Sequence, residues 1–177
     1  MDDAAFARFL GELAGEEAAR SRQEEAWLRH QAEEEARFTG VALDLAEQGA
    51  TVTVRTTTGR QHHGIVAAVA EDFLVLRSAG GAPVLLPYVA VAALRPAPGN
   101  AAAEAGSPRR PLLGTRFAQA LAGVAADRPR VVLVLHGGEA MGGELRSAGV
   151  DVLTLRLESS GSVYVRVDAV AELTLFG

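Results

Sequence analysis

The 177-residue chain has no cysteine and no lysine. Without thiols it can form neither disulfides nor thiolate metal sites, and all of its strong positive charge is carried by 17 Arg. Aromatic residues make up only 5% of the chain. No apolar run reaches the ~18 residues a membrane span needs, and no apolar segment follows a basic N-terminus, so neither a membrane helix nor a signal peptide is expected. A cytoplasmic location is the default expectation. A basic stripe is missing too. Residues 1–40 hold ten acids and five Arg, which accounts for the whole net charge of −5, while the remainder carries twelve of each sign. Nothing in that balance suits a run of phosphates.

What is present is a repeat. Shifting the chain by 79 residues lays 51–94 over 130–173 without a gap. Twelve of the 44 positions are then identical, against roughly four expected by chance in a chain so rich in Ala, Val, Leu and Gly. The matches are mostly glycines at turn positions, such as Gly59/Gly138 and Gly64/Gly143, and apolar residues at strand spacing, such as Leu74/Leu153 and Leu76/Leu155. This pattern predicts a duplicated fold and carries no duplicated chemistry. Five short strands are expected in each unit: 51–57, 62–70, 72–78, 82–87 and 89–95, then 130–136, 141–149, 151–158, 162–167 and 169–175. Thr58-Gly59, Gly80-Gly81, Gly137-Gly138 and Ser160-Gly161 supply turns. Phe38, Val41, Ala42 and Leu45 predict a short amphipathic helix before the first set of strands, ending at Gly49. Phe117, Leu121 and Val124 predict its counterpart before the second.

Ahead of both units, residues 2–37 are rich in Ala, Glu, Arg and Leu, with acids at the start and favourably ordered Glu-to-Arg pairs at i,i+4. They predict a long solvated helix whose tip carries Phe6, Phe9, Leu10 and Leu13 on one face. The organisation expected is therefore an acidic N-terminal helix over 1–37, a first barrel with its leading helix over 38–95, a Pro/Gly/Ala linker over 96–111, and a second barrel over 112–177. The fold class expected is mainly β with helices: a long N-terminal α-helix and two small five-stranded barrels, since closure would hide the strand edges.

The stretch G-x4-G-I-V-x2-V-x2-DFLVL followed by VLLPYVAV resembles the Sm-like small-barrel family, well over 38–95 and more loosely over 115–175. An acidic helix before two such domains is similar to the layout of an actinobacterial family. The resemblance implies a small Src-homology-3-type barrel and raises RNA binding as an alternative function. The RNA-binding pattern holds a base with Asp and Asn between the second and third strands, and with Arg-Gly between the fourth and fifth. Here Asp72 and Asp151 fall two residues later, no Asn follows either, and the later loops read Pro87-Tyr88 and Arg166-Val167.

The clusters of reactive residues read as structural rather than catalytic. His62 and His63 are adjacent on a strand and so point to opposite faces, which argues against one shared metal and for an exposed turn pair. Asp72 and Asp151 are expected to bond turn backbone at the start of the third strand. No nucleophile–base arrangement or phosphate loop is legible, and the chain is expected not to be an enzyme and to need no cofactor, metal or small-molecule substrate. The first unit's third strand is apolar on both faces, with Phe73 and Val75 at the alternate positions, and Val89 stands where the second unit has Asp168. Those residues need a cover: the other unit, another subunit, or the chain's own helices. The leading functional expectation is thus a non-catalytic, self-associating interaction or scaffold protein, as a homo-oligomer or with a protein partner, using Phe6, Phe9, Leu10, Leu13, Phe73, Val75 and Val89. The disfavoured alternative is a nucleic-acid-binding regulator using Arg55, Arg60, Arg77 and Tyr88.

Overall fold

The computed structural model describes residues 21–25, 27, 37–99, 113–158 and 161–176. Residues 21–25 and 27 are helical; the rest of the expected N-terminal helix, with Phe6, Phe9, Leu10 and Leu13, lies outside the described residues. Helix α1 (Phe38–Glu47) leads into β1 (Thr51–Thr56), β2 (Gln61–Val69), β3 (Phe73–Ser78), β4 (Pro83–Pro87) and β5 (Val91–Pro96). Helix α2 (Phe117–Ala125) then leads into β6 (Arg130–Leu135), β7 (Ala140–Ala148), β8 (Val152–Leu157), β9 (Gly161–Arg166) and β10 (Val170–Phe176). A single 3₁₀ turn precedes the last strand of each unit, Tyr88–Ala90 and Val167–Ala169.

The 79-residue offset reappears in the geometry. β2 carries a register shift between Val66 and Ala68, and β7 carries one between Leu145 and Ser147. α1 ends where Gly49 takes a left-handed φ of +60°. That turn brings the Ala50 N–H back to the Leu45 carbonyl at 3.0 Å. Gly64 and Gly143 lie inside β2 and β7, within the strands expected over 62–70 and 141–149. A Cβ on Gly64 would sit 2.0 Å from the Arg77 carbonyl oxygen, and one on Gly143 2.4 Å from that of Arg156. The matching glycines therefore mark close approach of neighbouring backbones rather than chain reversal.

Two closed barrels are not what forms. All ten strands join one antiparallel open sheet in the order β5-β1-β2-β3-β4-β10-β6-β7-β8-β9. Within each unit the fifth strand returns to the first, as in Val54↔Leu94 and Leu133↔Leu173. The outer edge of β4 does not close its own unit; it pairs with β10, Leu85 opposite Leu173 and Val84 opposite Thr174. Hydrophobic period and turn spacing specify which residues face inward. They say nothing about which strand meets a free edge, so a closed barrel and an edge shared with the next unit read alike.

Two apolar cores follow. The first packs α1 residues Ala42, Leu43 and Leu45 against Val52, Val54, Val66, Leu74, Leu76 and Leu86. The second, under α2, gathers Leu121, Leu133, Leu145, Leu153, Leu155 and Leu173, and it also takes in Ala70, Phe73 and Leu85 from the first unit. The second core thus belongs to both units.

Candidate functional site

The junction between the units is where the chain's polar and apolar features converge. Phe73 is 2% exposed, and its ring meets Phe117 edge-on with centroids 5.7 Å apart. Val75 packs against the same core. The cover that these residues required is the second unit of the same chain. Beside them Asp72 Oδ1 accepts the Phe117 N–H at 2.7 Å, so a carboxylate from one unit satisfies an unpaired donor at the start of the other unit's helix. Arg116 Nε donates to Glu71 at 3.1 Å, and the Leu113 N–H donates to the Val69 carbonyl at 3.2 Å. Asp72, expected to serve its own turn, works across the junction.

The other side of the junction is built around Glu172, which is 1% exposed. Thr56 and Thr58 hydroxyls donate to its Oε1 at 3.0 and 3.2 Å. His62 Nε2 donates to its Oε2 at 2.9 Å, and Arg60 Nε forms an ion pair with the same oxygen at 3.1 Å. Three donors and one ion pair meet the ionised carboxylate, and a carboxylate that can only accept places the His62 proton on Nε2. Burial pushes the Glu172 carboxyl up, but the bonds from His62 and Thr56 and the positive charge of His62 and Arg60 outweigh it, leaving the carboxyl below its ordinary range. All three donors and Arg60 come from the β1–β2 hairpin of the first unit, and the acceptor comes from β10 of the second. His62 and His63 are accordingly not an exposed turn pair: both lie within β2, one bonded to Glu172 and the other, through Nδ1, to the Thr53 hydroxyl at 2.9 Å.

Of the residues proposed for nucleic acid, two are engaged within the chain and two are exposed. Arg60 is held by Glu172. The Tyr88 hydroxyl donates to the Ala70 carbonyl at 2.7 Å, and its ring packs edge-on against Phe38, 5.4 Å between centroids. Arg55 and Arg77 are exposed on β1 and β3. Val89 is 76% exposed and lines an open groove of about 320 Å³ with Pro87, Phe117, Val150 and Val167. Among the described residues no group of three or more His, Asp or Glu is placed to hold a metal, and no helix is long and apolar enough to cross a membrane.

No family model and no curated protein matches the chain.

Sequence reading missed Glu172 and its pairing with His62. The signal was present, since the repeat aligns Glu172 with Ala93 and so sets a charge where the first unit has a methyl group.

Proposed function

We propose that this is a non-catalytic, self-associating interaction protein whose copies add head to tail through the strand edges at the two ends of the sheet. One observation carries the reading: residues buried at the junction have counterparts, 79 positions away, that lie exposed at the sheet's ends. Leu85 is buried, whereas its counterpart Tyr164 on β9 is 74% exposed. Phe117 is buried; its counterpart Phe38 is 37% exposed. Phe73 corresponds to Val152, which is partly uncovered, and Asp72 corresponds to Asp151. β9 and β5 stand last and first in the strand order, as counterparts of the paired β4 and β10. A second copy placed as the second unit sits on the first would pair β9 with the next chain's β5, setting Tyr164 opposite Leu94 and Val163 opposite Arg95. It would cover Phe38 and offer Asp151 to the start of the next α1. Such an interface is heterologous, and it closes into a ring or runs on as a filament according to the rotation per step.

Because the chain lacks cysteine, the contact can be read by cross-linking. Arg95→Cys chains mixed with Val163→Cys chains should form a mixed disulfide dimer that neither variant forms alone. Neighbouring antiparallel strands place Cα atoms about 4.5–5.5 Å apart, within disulfide reach. The wild-type chain should sediment as a multimer, and Tyr164→Lys, a charge on an exposed edge, should lower its mass without lowering its melting temperature. A monomer that gives no mixed disulfide would overturn the reading.

A further inference from the structure

The apolar and capping parts of the junction are common to both units, but the Glu172 set is not. Glu172 corresponds to Ala93, exposed on β5 beside the matching register shift. Its partners Thr56, Thr58, Arg60 and His62 correspond to Leu135, Gly137, Glu139 and Met141. Every polar member of this set therefore sits where the other unit has an apolar residue, a glycine or the opposite charge.

That asymmetry sorts the four ways in which a fourth-strand edge can meet a fifth-strand edge, of which first to first and second to second each require β4 and β10 to part. First unit to second, the arrangement inside the chain, matches the carboxylate with all four partners. Second unit to the next chain's first unit would set Ala93 against Leu135 and Met141, an apolar contact with no charge to desolvate. First to first would bring Ala93 to the hairpin and leave His62 and Arg60 without their acceptor. Second to second would bury Glu172 against Leu135 and Met141, beside Glu139. An unpaired buried carboxylate next to a like charge is strongly penalised.

We propose that Glu172, with Thr56, Thr58, Arg60 and His62, is a pairing key that restricts association with further copies of this chain to strict alternation of first and second units. The inference rests on the head-to-tail reading for its setting, and the test separates the two. Ala93→Glu places the key on β5, where no matching donors await it, and the multimer should fall to single chains. Adding Leu135→Thr, Gly137→Thr, Glu139→Arg and Met141→His supplies the donors, and the multimer should return. Nothing lies within 4 Å of where a Cβ on Gly137 would stand, so that position accepts a side chain. Should the wild-type chain sediment as a monomer, the head-to-tail reading fails, yet the five-fold variant should then gain association that the wild type lacks. A folded five-fold variant that neither restores nor creates a multimer overturns the key, as does a multimer indifferent to Ala93→Glu.

Discussion

Glu172 and Tyr88 answer opposite ends of the pH scale. The Glu172 carboxyl titrates below its ordinary range in the folded chain. Its stabilisation is therefore complete above the range in which the unfolded carboxyl titrates, and it is lost as pH falls through the lower folded value. Glu172→Gln should cost about 1–3 kcal/mol at neutral pH, the scale of a charged hydrogen-bond set weakened in a buried place. The gap between the two melting temperatures should close as the solution is acidified; a gap that stays constant would mean that the charge itself contributes nothing. For Tyr88, burial pushes the phenol up to about 12, with Asp72 adding to the rise, while a bond with the Thr39 side chain works against it. A raised phenol stabilises the fold fully below its ordinary value of 10.0 and loses that contribution as pH climbs toward about 12. In an ultraviolet phenolate titration, the late-ionising component should vanish in Tyr88→Phe. Tyr88 was legible from sequence as an aromatic near a turn, but its tie to the Ala70 carbonyl was not. His62 was misread for a related reason: its partner lies 110 positions away in a strand of the other unit.

Among the elements, α2 and β3 meet across the junction, and that contact sets the largest single-site effects. Phe73→Ala removes a ring packed edge-on against Phe117 and should destabilise the chain by about 3–5 kcal/mol in denaturant unfolding. Asp72→Ala deletes only the carboxylate that receives the Phe117 N–H and should cost about 1 kcal/mol. If Phe73→Ala were as mild as Asp72→Ala, the shared core would not be what holds the two units together. Both leading helices were legible, because apolar residues at i, i+3 and i+4 stop at a glycine or an acid. The strands were legible as well: their observed limits fall within two residues of those expected, since the third and fifth strands of each unit align without a gap across 79 positions. The close backbone approach at Gly64 had no signature of its own, because a glycine needed for it leaves the same mark as one needed for a turn. Edge pairing had no local signature. Val84 and Leu85 would be apolar whether β4 closed its own unit or met β10.

At the scale of the whole molecule, one open sheet has two unlike ends, β5 on one side and β9 on the other. The sequence repeat announced two similar units, yet it could not say that they share a core, because that depends on which edge is left over after each unit forms. The same arrangement bears on how the protein is made. Residues 38–96 are complete while the 80 residues from 97 to 176 have still to be synthesised, an interval of roughly 4–16 s at ~5–20 residues per second. Through that interval β4 is paired with β3 but its second partner, β10, does not yet exist, and Phe73 and Leu85 await their cover. Neighbouring ribosomes on one message would hold several such half-made chains side by side. Their β5 strands present Ala93 rather than Glu172, so the hairpin that offers Arg60 and His62 meets no acceptor until its own chain delivers one. The buried carboxylate lies about 76 residues beyond the end of the first unit, so it reaches the hairpin only after that unit has been made.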